Sequence, residues 1–208
     1  LARACARADV IPDSASQAIA AACQSAKFDA HSLSVAAGAA GNRAIPMVAA
    51  LTAQVAPDAR GYVHWGATSQ DVLDTALVLQ MRDGLALIDA DVTRLADALA
   101  LEARRHRDTP IAGRTLLQQA LPVTLGLKLA GTYSAMRRHA ARLARAAAGV
   151  RVLQFGGAAG TVASLAGAAL DVERALANEL QLDVADMPWH TQRDRLVDVA
   201  AALGNLIA

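Results

Sequence analysis

Across residues 72–107, apolar side chains return at alternating steps of three and four: Val78, Met81, Leu85, Ile88, Val92, Leu95 and Leu99. This is the a/d seam of a helix that packs lengthwise against other helices. No proline falls inside the run, and its one glycine, Gly84, costs about 1 kcal/mol relative to alanine. A second long helix is predicted with Pro122 near its start and running to about residue 148, with Leu125, Leu129, Met136 and Leu143 roughly on one face. A third occupies residues 167–180, and another apolar run fills residues 196–207. Shorter helices precede them at residues 1–8, 14–27, 30–40 and 45–55, with Asp13 or Ser14 and Asp29 as caps.

Between the helices lie compact polar stretches: residues 63–71, residues 111–119, the glycine-rich Gln154–Thr161 segment, and residues 188–195. All of these read as loops, the glycine-rich one as a flexible loop, with Thr191 the candidate cap of the last helix. The pattern predicts an all-α fold, an elongated bundle of long helices. It divides into a small N-terminal helical domain, residues 1–62, and a central long-helix domain, residues 63–208. Leu1 already stands in a helical pattern and Ala208 ends one, so the chain reads as a piece of a longer protein.

Composition agrees with helices. Of the 208 residues 54% are hydrophobic but only 3% aromatic, so the core is built of Ala, Leu and Val. The β-branched and aromatic clusters that mark strands are nearly absent. A net charge of +1 gives no broad basic face, which argues against nucleic acid as a partner. Residues 152–170 carry no charge, but four glycines interrupt them, which argues against a membrane span. Cys5 and Cys23 sit in apolar helical contexts as thiols, consistent with a reducing, cytoplasmic compartment. Five scattered histidines give no metal spacing, and no phosphate-binding loop or nucleophile elbow is present. No cofactor is expected.

The polar stretches offer Thr, Ser, Gln, Arg and His, a set suited to holding carboxylates and moving protons. Thr68 and Ser69 open the long helix, where unpaired amides attract anions, with Asp71 in its first turn. They can cap the helix or bind a carboxylate. His64 and Trp65 lie just upstream. Asn42 reads as a left-handed turn residue. Lys128 can face pocket or solvent, and His31 and His139 read as surface histidines.

The segment His64-Trp65-Gly66-Ala67-Thr68-Ser69-Gln70-Asp71 resembles the first signature of the fumarase/aspartase superfamily, and Gly113-Arg114-Thr115-Leu116-Leu117-Gln118-Gln119-Ala120-Leu121-Pro122 its second. The likeness extends over essentially the whole chain. Residues 153–160 and Pro188-Trp189-His190-Thr191-Gln192-Arg193-Asp194-Arg195 resemble its cycloisomerase branch, which lactonises a carboxylated muconate in aromatic breakdown. The resemblance implies a small anionic polycarboxylate substrate, no cofactor, and a homotetramer whose active sites are shared between subunits. It implies a catalytic role for His64 and substrate binding by Thr68, Ser69, Thr115, Gln118, Gln192, Arg193 and Arg195. An arginine at 193 or 195 would pair with a substrate carboxylate, or tie the last helix to a neighbour through Asp194.

Leu116 departs from the superfamily, most of whose lyases carry a proton-handling histidine there. The departure suits a reaction whose nucleophile is the substrate's own carboxylate, already ionised at neutral pH because its pKa is about 4. The family's mobile serine loop, which handles the proton at carbon, does not occur in these residues. Two other readings stay open: a fumarate-releasing lyase of the adenylosuccinate lyase type, and a non-catalytic helical scaffold.

Overall fold

A computed structural model describes residues 1–208, and the chain is all-α apart from one hairpin. Its contacts gather into two compact units, residues 1–79 with 151–193 and residues 80–150 with 194–208. This is a different cut from the 1–62/63–208 division drawn from sequence, whose boundary falls inside the first unit.

The first unit holds α1 (Ala2–Arg7), α2 (Asp13–Ser25), α3 (Ala30–Ala40), α4 (Ala44–Gln54), the start of α5 (Ser69–Arg105) and α7 (Ala169–Leu180). Ala15, Ile19 and Ala22 recur at helical spacing on α2 and form a core with Val55 and Ala59. The first helix packs on α2 and α7. Its Arg3 and Arg7 both engage Glu179. The cap of α3 is Asp29, whose carboxylate accepts from the His31 and Ser32 amides. Asp13 is instead the first residue of α2, which has no side-chain cap. Cys5 is buried and Cys23 is exposed, both as free thiols.

The second unit holds the rest of α5, the hairpin strands β1 (Pro110–Thr115) and β2 (Gln118–Thr124), then α6 (Leu125–Val150) and α8 (Asp194–Ile207). The seam of α5 buries Val78, Leu85 and Val92, then passes to Ala96 and leaves Leu95 48% exposed. A straight helix of 3.6 residues per turn drifts against a 3.5 repeat by about 20° per heptad, so the buried stripe moves off the heptad positions.

Three expectations are corrected here. Residues 111–119 are not an irregular loop, and Pro122 lies in the second strand rather than in the helix, which starts at Leu125. An antiparallel ribbon runs from Pro110↔Thr124 to Thr115↔Gln118, with a bulge between Ala112 and Arg114. Gly113 allows the bulge, because a Cβ there would lie 2.4 Å from the Leu121 carbonyl oxygen. Thr124 caps α6 by accepting the Leu127 amide at 3.1 Å. The ribbon base is tied to the end of α5: Leu125 N–H donates to Thr109 and Gly126 N–H to His106, both at 2.9 Å. The last helix is also not capped by Thr191. A turn in which Gln192 N–H donates to the Trp189 carbonyl delays it to Asp194.

Candidate active site

The approach to α5 is shaped by two left-handed residues, His64 at φ 62° and Gly66 at φ 80°. A Cβ on Gly66 would lie 2.7 Å from the Leu165 side chain, so glycine is required there on both counts. Thr68 stands at the cap position, yet its hydroxyl does not do the capping. Asp71, three residues on, reaches back to accept the Thr68 amide at 2.9 Å. The threonine hydroxyl at the mouth is thereby left available. The Ser69 hydroxyl oxygen accepts from the Asn42 side-chain amide at 3.0 Å, which leaves its proton to donate.

Asp71 is only 3% exposed, and four donors hold its carboxylate. Its Oδ1 accepts from Gln154 Nε2 and the Gly156 amide, both at 3.0 Å; Oδ2 accepts from the Gly157 and Thr68 amides, both at 2.9 Å. Each lone-pair direction has a partner, which is the condition for keeping a carboxylate buried. The glycine-rich segment is therefore not a flexible loop at its start; residues 154–157 are pinned to the helix mouth. Gln154 extends the network, accepting the Trp189 amide on Oε1 at 2.6 Å, while its backbone exchanges hydrogen bonds with the Thr75 hydroxyl.

One turn along α5, Asp74 is 2% exposed. Arg193 grips it with both terminal nitrogens, at 2.7 and 2.9 Å, and Gln70 Nε2 donates to it at 2.9 Å. The guanidinium lies 5.7 Å from the Trp189 ring centroid, and the Asp74 hydrogen bonds strengthen its hold on its proton. The partner of Arg193 is thus Asp74, not Asp194. Beside it, His190 Nδ1 is buried with no hydrogen-bond partner.

His64 and Ser69 line one cavity of about 300 Å³, whose remaining walls are Ala44, Ile45, Val48 and Ala49. Burial pulls the His64 pKa below its ordinary value, and the nearby Asp71 charge opposes part of that shift. The imidazole is therefore mainly neutral at pH 7. What the cavity offers is a neutral imidazole and a donor hydroxyl facing an apolar wall.

His64, Thr68 and Ser69 are brought to this mouth, and Gln192 and Arg193 lie in the same unit. Gln192 is exposed. Thr115, Gln118 and Arg195 belong to the second unit. The first two flank the hairpin tip, and Arg195 donates to the Gly149 carbonyl at 3.0 Å. Lys128 is exposed, and His139 is half-buried with an unpartnered Nδ1. Sequence reasoning missed Asn42 as a partner of Ser69; the left-handed residue of that turn is Gly41. It also missed Asp71 and Gln154 as the network that shapes the mouth, although the first signature contains Asp71.

A family model described as a lyase matches residues 1–208, and the chain belongs to that lyase family. It is 55% identical to a 3-carboxy-cis,cis-muconate cycloisomerase of Pseudomonas aeruginosa, over 98% of this chain and 45% of the relative. The crystal structure of the 3-carboxy-cis,cis-muconate lactonizing enzyme of Pseudomonas putida superposes with a TM-score of 0.96 at 52% identity, covering 99% of this chain and 47% of that one. The β-carboxy-cis,cis-muconate cycloisomerase of Acinetobacter calcoaceticus gives 0.96 at 46% identity, over 99% and 49%. The chain spans about half the length of the curated relatives it matches.

Proposed function

We propose that the whole protein carrying this chain is a cofactor-independent 3-carboxy-cis,cis-muconate cycloisomerase, closing 3-carboxymuconate to 4-carboxymuconolactone in aromatic breakdown. The observation that carries this reading is the His64–Ser69 cavity, in which two hydrogen-bonding groups face an apolar wall. Such a lining suits an apolar diene bearing carboxylates. The named relatives and the apolar residue at position 116 add support.

In the reaction one substrate carboxylate oxygen bonds to an alkene carbon, the π bond breaks, and a neighbouring carbon takes a proton. One carboxylate charge is lost as the ester forms. No enzyme base is needed to make the nucleophile, so the task is to hold it against the double bond and stabilise the charge that develops. The Thr68 and Ser69 hydroxyls donate to one carboxylate. Neutral His64 is the catalytic group at the mouth, orienting a carboxylate or passing a proton. Thr115, Gln118 and Gln192 keep the substrate-binding roles that the resemblance gives them. Arg193 and Arg195 act on the substrate through the elements they tie down. The assembly we assign is a cytoplasmic homotetramer with shared active sites.

The test uses the full-length protein. Added 3-carboxy-cis,cis-muconate should lose its conjugated-diene absorbance, while adenylosuccinate and argininosuccinate stay unchanged. Turnover of a succinyl substrate instead would place the protein among the fumarate-releasing lyases. Turnover of none would favour a helical scaffold.

A further inference from the structure

We propose that Arg43 binds a second carboxylate of the substrate, in a groove next to the α5 mouth. This rests on the cycloisomerase reading and extends it to a residue that neither signature contains. The groove has a volume of about 970 Å³ and lies within the first unit. Leu33, Ala37 and Gly38 of α3 make an apolar wall, Asn42 and Arg43 carry its polar turn, and Gln70 of α5 stands among its lining residues.

Three features together point to Arg43. It is exposed and makes no hydrogen bond or ion pair, whereas Arg3, Arg7 and Arg193 are each committed to a carboxylate. It stands at the N-cap of α4, where the helix disfavours a cation and its side chain caps nothing, so local stability does not account for it. Its neighbour Asn42 is bonded to Ser69, which places the Arg43 turn beside a hydroxyl already assigned to the substrate. The substrate carries three carboxylates, of which one attacks and one is held by Thr68 and Ser69. An unpaired guanidinium supplies a charged, bidentate seat for the third.

The test compares the full-length wild type with Arg43→Met and Arg43→Lys. Equilibrium binding of tricarballylate and glutarate, which differ by one carboxylate, is measured by calorimetry, alongside KM and kcat with 3-carboxymuconate. Wild type should bind tricarballylate more tightly than glutarate. In Arg43→Met that preference should vanish, as a charged hydrogen bond is worth about 10- to 100-fold. KM should rise by a similar factor, with kcat and melting temperature little changed. Arg43→Lys, which keeps the charge without the fork, should recover part of the preference. A preference that survives Arg43→Met, or a wild type that shows none or binds neither acid, overturns the proposal. Because binding is measured without turnover, loss of preference in a protein that does not turn over the muconate would sustain the Arg43 site while the cycloisomerase reading falls.

Discussion

The mouth of α5 and the tip of the hairpin both carry residues that the proposed function gives to the substrate, and they are held in opposite ways. At the mouth, two buried carboxylates gather donors from segments more than 80 residues away in the chain: Gln154 and Gly156 on Asp71, and Arg193 on Asp74, at separations of 83, 85 and 119 residues. At the tip, Leu116 and Leu117 turn the chain in two residues with φ of 51° and 65°, while 96% and 98% exposed. That backbone is the type I′ turn for which Asn-Gly is the preferred pair. The mouth keeps its shape by satisfying buried anions; the tip keeps its shape against the preference of its own residues.

The largest expected effect follows from the mouth. Asp71→Ala strands the amides of Thr68, Gly156 and Gly157 and the Gln154 side chain, and each unsatisfied buried donor costs about 1–3 kcal/mol. Allowing for relaxation, the full-length protein should lose about 4 kcal/mol in urea unfolding. At the hairpin, Gln118→Ala removes an exposed side chain and should stay within about 0.5 kcal/mol. Equal losses at the two sites would abolish the contrast.

The tip gives an effect of opposite sign. Replacing Leu116-Leu117 by Asn-Gly keeps the Thr115↔Gln118 register and relieves two left-handed leucines. The gain should be about 1–2 kcal/mol, read as a higher melting temperature. Backbone strain of this kind gathers where function requires it, so kcat/KM on 3-carboxymuconate should fall in the same variant. A variant that is both more stable and fully active would make the leucines incidental to the reaction.

The same contrast explains which parts of the fold are legible in the sequence. The course of α5 was legible because Val78, Leu85 and Val92 repeat at helical spacing, and the polar segment ending in Asp71 marked its start. The hairpin was hidden: residues 111–119 lack β-branched alternation, and its turn uses two leucines where a turn signal would be Asn-Gly. The Asp74–Arg193 pair was hidden for another reason. Both charges were visible, but periodicity locates faces and not partners, so Asp194, the adjacent acid, was as good an inference as Asp74. Local propensity makes Asn42 a turn residue, while its side chain reaches Ser69, 27 residues away.

The smallest effect tests the mouth through its one titratable ring. Burial lowers the His64 pKa below the ordinary value of 6.5, so the folded state binds this proton less readily than the unfolded chain. Between the folded pKa and 6.5 the unfolded state holds more protons, and stability rises with pH across that window. The contribution is complete above the unfolded pKa and is lost as pH falls through the folded one. His64→Gln removes the group, so the difference in unfolding free energy between wild type and variant should be flat from pH 8 to 7 and shift against wild type as the pH falls toward 5. The hairpin contains no histidine, and a Thr115→Ala difference measured over the same range should stay flat. A His64→Gln difference equally flat would mean that the Asp71 charge offsets the whole effect of burial or that the imidazole is as well solvated at the mouth as in the unfolded chain, and either way His64 would not be held neutral by an apolar cavity.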